Sequence, residues 1–219
     1  MKLVQLGIGI VLLSLLISMV GGCQQSFSPG TFTDDMGREV TIDEVPQRIV
    51  SHVPSITELL FALGLEERVV GVSDFCNYPE AVKAKPKVGG FYNPSIEKIV
   101  DLSPDVVLTN GEVENLVTGL DSLGITYVVL YPEDIGGIFY DVELVGRVTG
   151  TESKARELTK DMEERIAHVV ARVQDAPTVK VFYTFATTDL NNPWTARAPV
   201  PSLTLLLPWR VGKILRLPP

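Results

Sequence analysis

Four short apolar runs restrict the folds open to this chain more than any other feature of it: residues 48–51 (RIVS), 69–72 (VVGV), 105–108 (DVVL) and 127–130 (YVVL). Each is rich in β-branched residues, too short for a helix, and apolar in succession rather than in alternation. Continuous apolarity in a short strand predicts cover on both faces, as in a parallel sheet. Parallel strands need long crossovers. Helical patterns separate the runs, at residues 55–63, 94–102 and 113–123, and another follows the last run at 135–149. Pro94 suits a first helical turn with Asn93 or Ser95 as its cap, and Gly64, Gly124 and Gly150 fall where helix C-termini are expected. Ahead of the series, residues 31–34 and 39–42 flank Asp35-Met36-Gly37-Arg38, which predicts a small hairpin with Gly37 supplying positive φ. The expected fold class is α/β, with a Rossmann-like βαβ lobe and a parallel sheet over residues 31–150.

Residues 151–176 hold the longest helical pattern. Ala155, Leu158, Met162, Ile166, Val169 and Val173 form one apolar stripe, and Asp161/Arg165 is a favourable i, i+4 pair beside it. Pro177 ends the helix, and residues 179–185 (VKVFYTF) read as a new strand. A long helix that delivers the chain to another strand predicts a connector and, over 177–196, the start of a second α/β lobe. One ordinary amphipathic helix packed on the same sheet has the same periodicity.

Charge divides the chain in three. The total is 19 Lys+Arg against 27 Asp+Glu, a net charge of −8. Setting aside Lys2 and the four cations of residues 197–219 leaves 14 bases against all 27 acids, a net −13 for residues 24–196. Nucleic acid is therefore not an expected partner, because its binding needs a basic face to displace counterions.

The leader of residues 1–22 has one cation and then an almost wholly apolar stretch to Val20, long enough to cross a bilayer. It ends in Val20-Gly21-Gly22-Cys23, small residues and then a cysteine. That junction looks like a bacterial lipobox, which implies a cleaved signal peptide and acylation of Cys23. Several acyl chains at about 0.8 kcal/mol per buried methylene anchor a protein without a spanning helix. Residues 24–30 (QQSFSPG) read as the tether. Cys76 is then left without a partner and reads as a small buried side chain. With His52, His168 and one free cysteine, no metal-ligand cluster can be assembled, and no cofactor is expected.

No catalytic signature is present. The loop after the first apolar run is Ser51-His52-Val53-Pro54-Ser55, without the glycines of a dinucleotide fingerprint, and no P-loop, nucleophile elbow or zinc-protease motif occurs. His52 in a strand-to-helix loop reads as a surface or cap residue. In open α/β sheets ligands lie at the carboxyl ends of the strands. Those loops hold His52-Val53-Pro54-Ser55, Asp74-Phe75-Cys76-Asn77-Tyr78 and Gly89-Gly90-Phe91-Tyr92-Asn93. Aromatic side chains among small polar groups suit stacking on a large, partly apolar ligand, or equally the packing down of the loops themselves.

Three segments together carry a resemblance: residues 33–41 (TDDMGREVT), residues 46–51 (PQRIVS) with 54–58 (PSITE), and residues 88–99 (VGGFYNPSIEKI). In that order they resemble the ABC-transporter solute-binding lipoproteins for cobalamin and iron–siderophores. Asp74-Phe75-Cys76-Asn77-Tyr78-Pro79 looks like the cobalamin-type branch. The resemblance implies two α/β lobes joined by one long helix, with the ligand between them and no chemistry performed on it. It implies ligand contacts at Tyr78 and Phe91, with Tyr92 and Phe185 as further aromatic candidates, and a cleft floor at Pro54 and Ser55. It implies that Glu97 docks on arginines of a permease, whose ATPase completes the importer, and that the protein is lipid-anchored outside the cytoplasmic membrane. The expected cargo is cobalamin or a related corrinoid. The runner-up, an anionic siderophore or haem, would want Lys or Arg in the cleft loops. A metallocluster enzyme component with Rossmann-like lobes would need several cysteine ligands, and Cys76 is the one left.

The resemblance stops at Trp194-Thr195-Ala196, where such proteins continue for a second lobe. Residues 197–219 are acid-free and proline-rich. Synonymous codons for this tail let a neighbouring frame read Gly-Pro-Gly-Ser-Phe-Ile-Asp and then Leu-Ala-Gly-Gly-Glu-Asn, which is what the family has there. A frameshifted tail is thus the expectation, and with it a truncated product lacking half of its binding surface; a non-functional product is the alternative reading.

Overall fold

A computed structural model describes residues 27, 29–111, 113–173 and 175. The leader, Cys23, most of the tether, the strand expected at 179–185 with Phe185, and the tail lie outside the described residues.

The strands form where the apolar runs predict them: β1 Gly30–Thr33, β2 Glu39–Ile42, β3 Ile49–Ser51, β4 Val69–Val72, β5 Val106–Thr109 and β6 Tyr127–Val129. β1 and β2 pair antiparallel around a turn in which Gly37 has φ of 72°. The other four make a parallel sheet in the order β4-β3-β5-β6. Its strands are apolar on both sides because both faces are covered. Ile49, Val106, Leu108 and Val128 point into one core, and Val50, Val107, Tyr127 and Val129 into the other.

The helices are α1 Pro54–Ala62, α2 Ile96–Asp101, α3 Glu114–Leu123, α4 Ile135–Thr149 and α5 Glu152–Val173. Gly64, Gly124 and Gly150 all have positive φ at helix ends, as expected. Two starts differ from the sequence reading. Pro54, not Ser55, opens α1, with its missing N–H harmless in the first turn. Pro94 lies outside α2, bridged to Gly89; Ser95 is extended and caps the helix by accepting from the Lys98 N–H at 3.3 Å. Leaving Pro94 in the bridge keeps the 89–93 loop folded back against the sheet edge.

α4 and α5 form a tight helical pair. Gly150 turns the chain, and the Thr151 N–H returns to the Gly146 carbonyl at 2.7 Å. A Cβ added to Gly146 would lie 2.5 Å from the Ala155 Cβ. Gly146→Val is therefore expected to cost about 3 kcal/mol by forcing the helices apart; an unchanged urea midpoint would contradict that. Along α5 the apolar stripe is buried at Ala155, half-buried at Leu158, Met162 and Ile166, and exposed at Val169. Asp161 and Arg165 pair at 3.6 Å on its outer side. Among the described residues no helix is long and apolar enough to cross a membrane.

Candidate functional site

β3 connects outward to β4, while β5, on its other side, connects outward to β6. Strand connections diverge there, so a crevice opens between the carboxyl ends of β3 and β5, the position that binds ligands in open α/β sheets. The residues around it come from four loops and from the distant β1–β2 turn.

His52 forms the base of this crevice. The sequence reading expects a surface or cap residue; the structure buries it completely. Its N–H donates to the Leu108 carbonyl at 3.0 Å, and Nδ1 lies 3.3 Å from the Thr109 hydroxyl, so it spans the gap between the two strands. Burial lowers its pKa, opposed in part by hydrogen bonding to the main chain of Gly90 and Phe91. The correction has a simple cause: the neighbours that cover His52 come from β5 and from the 89–93 loop, both remote in sequence.

The 89–93 loop descends onto this base through two glycines. Gly89 has φ of 106° and its carbonyl accepts from the Asp74 N–H at 2.9 Å. Gly90 is buried, with the Asn93 side chain in the space a Cβ would need and Phe75 close behind. Phe91 is half-buried and stacks on His52, with ring centroids 5.4 Å apart and planes inclined by 11°. Tyr92 meets Phe91 edge-on at 4.8 Å and is 81% exposed.

The loop after β4 is pinned from below and aromatic on top. Cys76 is buried, as expected; its sulfur lies 3.2 Å from the hydroxyls of both Thr57 and Ser73. Lys87 Nζ donates to the Cys76 carbonyl at 2.7 Å. Phe75 and Tyr78 stand exposed on the same loop. Pro54 is half-buried and Ser55 exposed at the first turn of α1, beside His52 in the chain.

The fold thus brings Pro54, Ser55, Tyr78, Phe91 and Tyr92 to one edge; Phe185 and Cys23 lie outside the described residues. Glu97 is exposed in the first turn of α2. Sequence reasoning did not single out Phe75, Met36 or Tyr131. Phe75 shares a loop with Tyr78 and had the same signal. Met36 and Tyr131 have no local signal: the Asp35 carboxylate accepts from the Tyr131 N–H at 2.5 Å, which sets the exposed Met36 turn beside the end of β6.

The edge is an open aromatic platform rather than a closed pocket. A concavity of about 220 Å³ lies between α4 and α5 and is lined by Glu143, Arg147, Glu152 and Arg156, four ionisable groups poorly suited to an apolar ligand. Among the described residues no group of three or more His, Cys, Asp or Glu could hold a metal ion.

A family profile described as "Periplasmic binding protein" matches residues 49–193. The ABC transporter substrate-binding lipoprotein YvrC of Bacillus subtilis (strain 168), itself uncharacterised, is 34% identical over 146 residues, 64% of this chain and 46% of that protein. A cobalamin-binding protein of Halobacterium salinarum is 32% identical over 161 residues, 71% of this chain and 44% of that protein. The chain thus spans about half the length of the curated relatives it matches. A periplasmic heme binding protein from Pseudomonas aeruginosa has a similar structure, with a TM-score of 0.56 at 26% identity, covering 62% of this chain and 50% of that one.

Proposed function

The chain belongs to the periplasmic binding protein family, and from that premise we propose that it captures a corrinoid, cobalamin or a close relative, and delivers it to an ABC permease. The observation that carries this reading is the aromatic platform at the β3/β5 crevice. Phe91 and Tyr92 are in ring contact, and Phe75 and Tyr78 stand exposed on the adjacent loop. A corrinoid presents a broad macrocycle edged with neutral amides, which such a surface can stack against while nearby main-chain groups bond the amides.

Charge favours the same cargo. The loop segments 52–55, 74–78 and 89–93 at this edge contain no Lys or Arg, and Asp74, Glu133 and Asp134 add acidic groups there. Haem propionates and anionic siderophores would meet no counter-charge there. Lys87, which reaches the same loop, is engaged with the carbonyls of Cys76 and Ser73.

The other roles follow from the same reading. Pro54 and Ser55 floor the cleft, and Phe185 contributes from the second lobe that residues 177–196 begin, with α5 as the connector. Glu97 on the rim gives register against a basic permease surface, since an exposed carboxylate steers and orients a cationic partner. The Cys23 anchor keeps the protein at the outer face of the cell membrane.

Calorimetric titration of the full chain with cyanocobalamin, haemin and a ferric catecholate siderophore tests the cargo. Heat is expected with cyanocobalamin, and Phe91→Ala or Tyr92→Ala should weaken its binding about tenfold or more. Tighter binding of haemin or the siderophore, or indifference to both substitutions, would sink the corrinoid assignment.

A further inference from the structure

Among the described residues, three buried side-chain groups have an atom without a hydrogen-bond partner: His52 Nε2, Asp141 Oδ1 and Thr159 Oγ1. Of these, His52 lies between the carboxyl ends of β3 and β5. It is also the foot of an aromatic column. Phe91 lies almost parallel above it, Tyr92 stands edge-on to Phe91, and exposure rises from zero at His52 to 81% at Tyr92.

Burial favours the neutral form of the ring. The Gly111 N–H donates to the Thr109 hydroxyl at 3.4 Å, and that hydroxyl lies 3.3 Å from His52 Nδ1. The main chain of Gly90 and Phe91 acts on the ring from the 89–93 loop. A second proton would place a charge in a fully buried site. The titratable groups on the surrounding elements are Glu58 of α1, Asp74, Cys76, Tyr78 and Lys87 after β4, and Tyr92 and Glu97 on either side of Pro94. Glu58, Asp74, Tyr92 and Glu97 are exposed, Cys76 is engaged by Thr57 and Ser73, and no charged side chain is among the causes acting on His52.

We propose that His52 is a positioning residue of the binding platform: a neutral buried imidazole whose flat face seats Phe91, and through it Tyr92, at the crevice between β3 and β5. The proposal rests on the reading of this edge as the ligand surface, but its physical content concerns the loop alone. Because the folded protein disfavours the imidazolium, the seat is intact above the ordinary histidine pKa of 6.5. It is lost progressively as pH falls below that value.

Hydrogen exchange of the full chain, followed at residues 88–95 between pH 7.5 and pH 5 and corrected for intrinsic rates, tests this. The β-sheet segments serve as the internal reference. Opening of the loop should rise about tenfold over that range in the parent chain, and the Kd for cyanocobalamin should weaken in parallel. His52→Phe keeps a flat face and cannot titrate, so both pH dependences should vanish. His52→Gln is neutral but offers no face, so its loop should open at every pH. A loop whose opening does not vary with pH in the parent chain, or varies equally in His52→Phe, overturns the proposal. If no variant binds cyanocobalamin at any pH while loop exchange follows the expected pattern, the corrinoid reading fails and the role of His52 in seating the loop is upheld.

Discussion

Asp34→Ala should lower the unfolding free energy by about 3–5 kcal/mol, far more than a turn residue ordinarily would. The Asp34 side chain is fully buried and joins the β1–β2 hairpin to the sheet. Oδ1 accepts from the N–H groups of Met36 at 3.1 Å and Arg38 at 3.0 Å. Oδ2 accepts from Arg38 Nε at 3.1 Å, Arg38 Nη2 at 2.7 Å and the buried Val129 N–H at 3.1 Å. Arg38 in turn donates to the Tyr127 carbonyl at 3.2 Å and lies 3.7 Å over the Tyr127 ring. Alanine would leave the Val129 donor buried and unpaired and the guanidinium without its counter-ion. Because this cluster sets the Met36 turn beside the end of β6, limited proteolysis should cut near Met36 in the variant and spare the parent chain. A change below about 1 kcal/mol in urea unfolding would show that the cluster is dispensable.

Asp141→Asn should act in the opposite direction and only over part of the pH range. Asp141 is on α4, 5% exposed, and its carboxyl pKa is pushed up to about 8 by burial first, then by the charge of Asp35 and a hydrogen bond with it. Near neutral pH the folded protein keeps this group protonated, whereas the unfolded chain ionises it near 3.8. Unfolding then releases a proton, so stability is highest at the acid end of that window and falls as pH rises from about 4 to about 8, levelling beyond it. The asparagine amide can donate to Asp35 as the protonated acid does, with no proton to lose. The variant should match the parent near pH 4 and exceed it by about 2–4 kcal/mol at pH 8. Equal stability of the two chains at pH 8 would mean that Asp141 ionises freely in the fold.

How far the sequence could be read depended on how local each cause was. The parallel sheet was legible because a strand covered on both faces must be apolar at successive positions, as 48–51 and 69–72 are. The β1–β2 turn was legible from Asp35-Met36-Gly37-Arg38, where positive φ calls for glycine. The docking of that turn was not, since the bond from the Val129 N–H to Asp34 spans 95 residues. Pro94 shows a local rule losing to a tertiary one: proline fits a first helical turn, yet its bridge to Gly89 holds it outside α2.

The candidate site divides along the same line. Its chemistry, aromatic and without local cations, was visible in Tyr78, Phe91 and Tyr92. Its foundation was not, because His52 is covered by Thr109, Leu108 and Phe91, which only the strand order β4-β3-β5-β6 brings to it. Sequence alone determined the α/β class, the strands and the aromatic loops, since each follows from apolar patterning or turn chemistry within a few residues. Tertiary structure decided burial, ionisation state and which loops meet, because desolvation and stacking depend on neighbours that strand order supplies and chain order conceals.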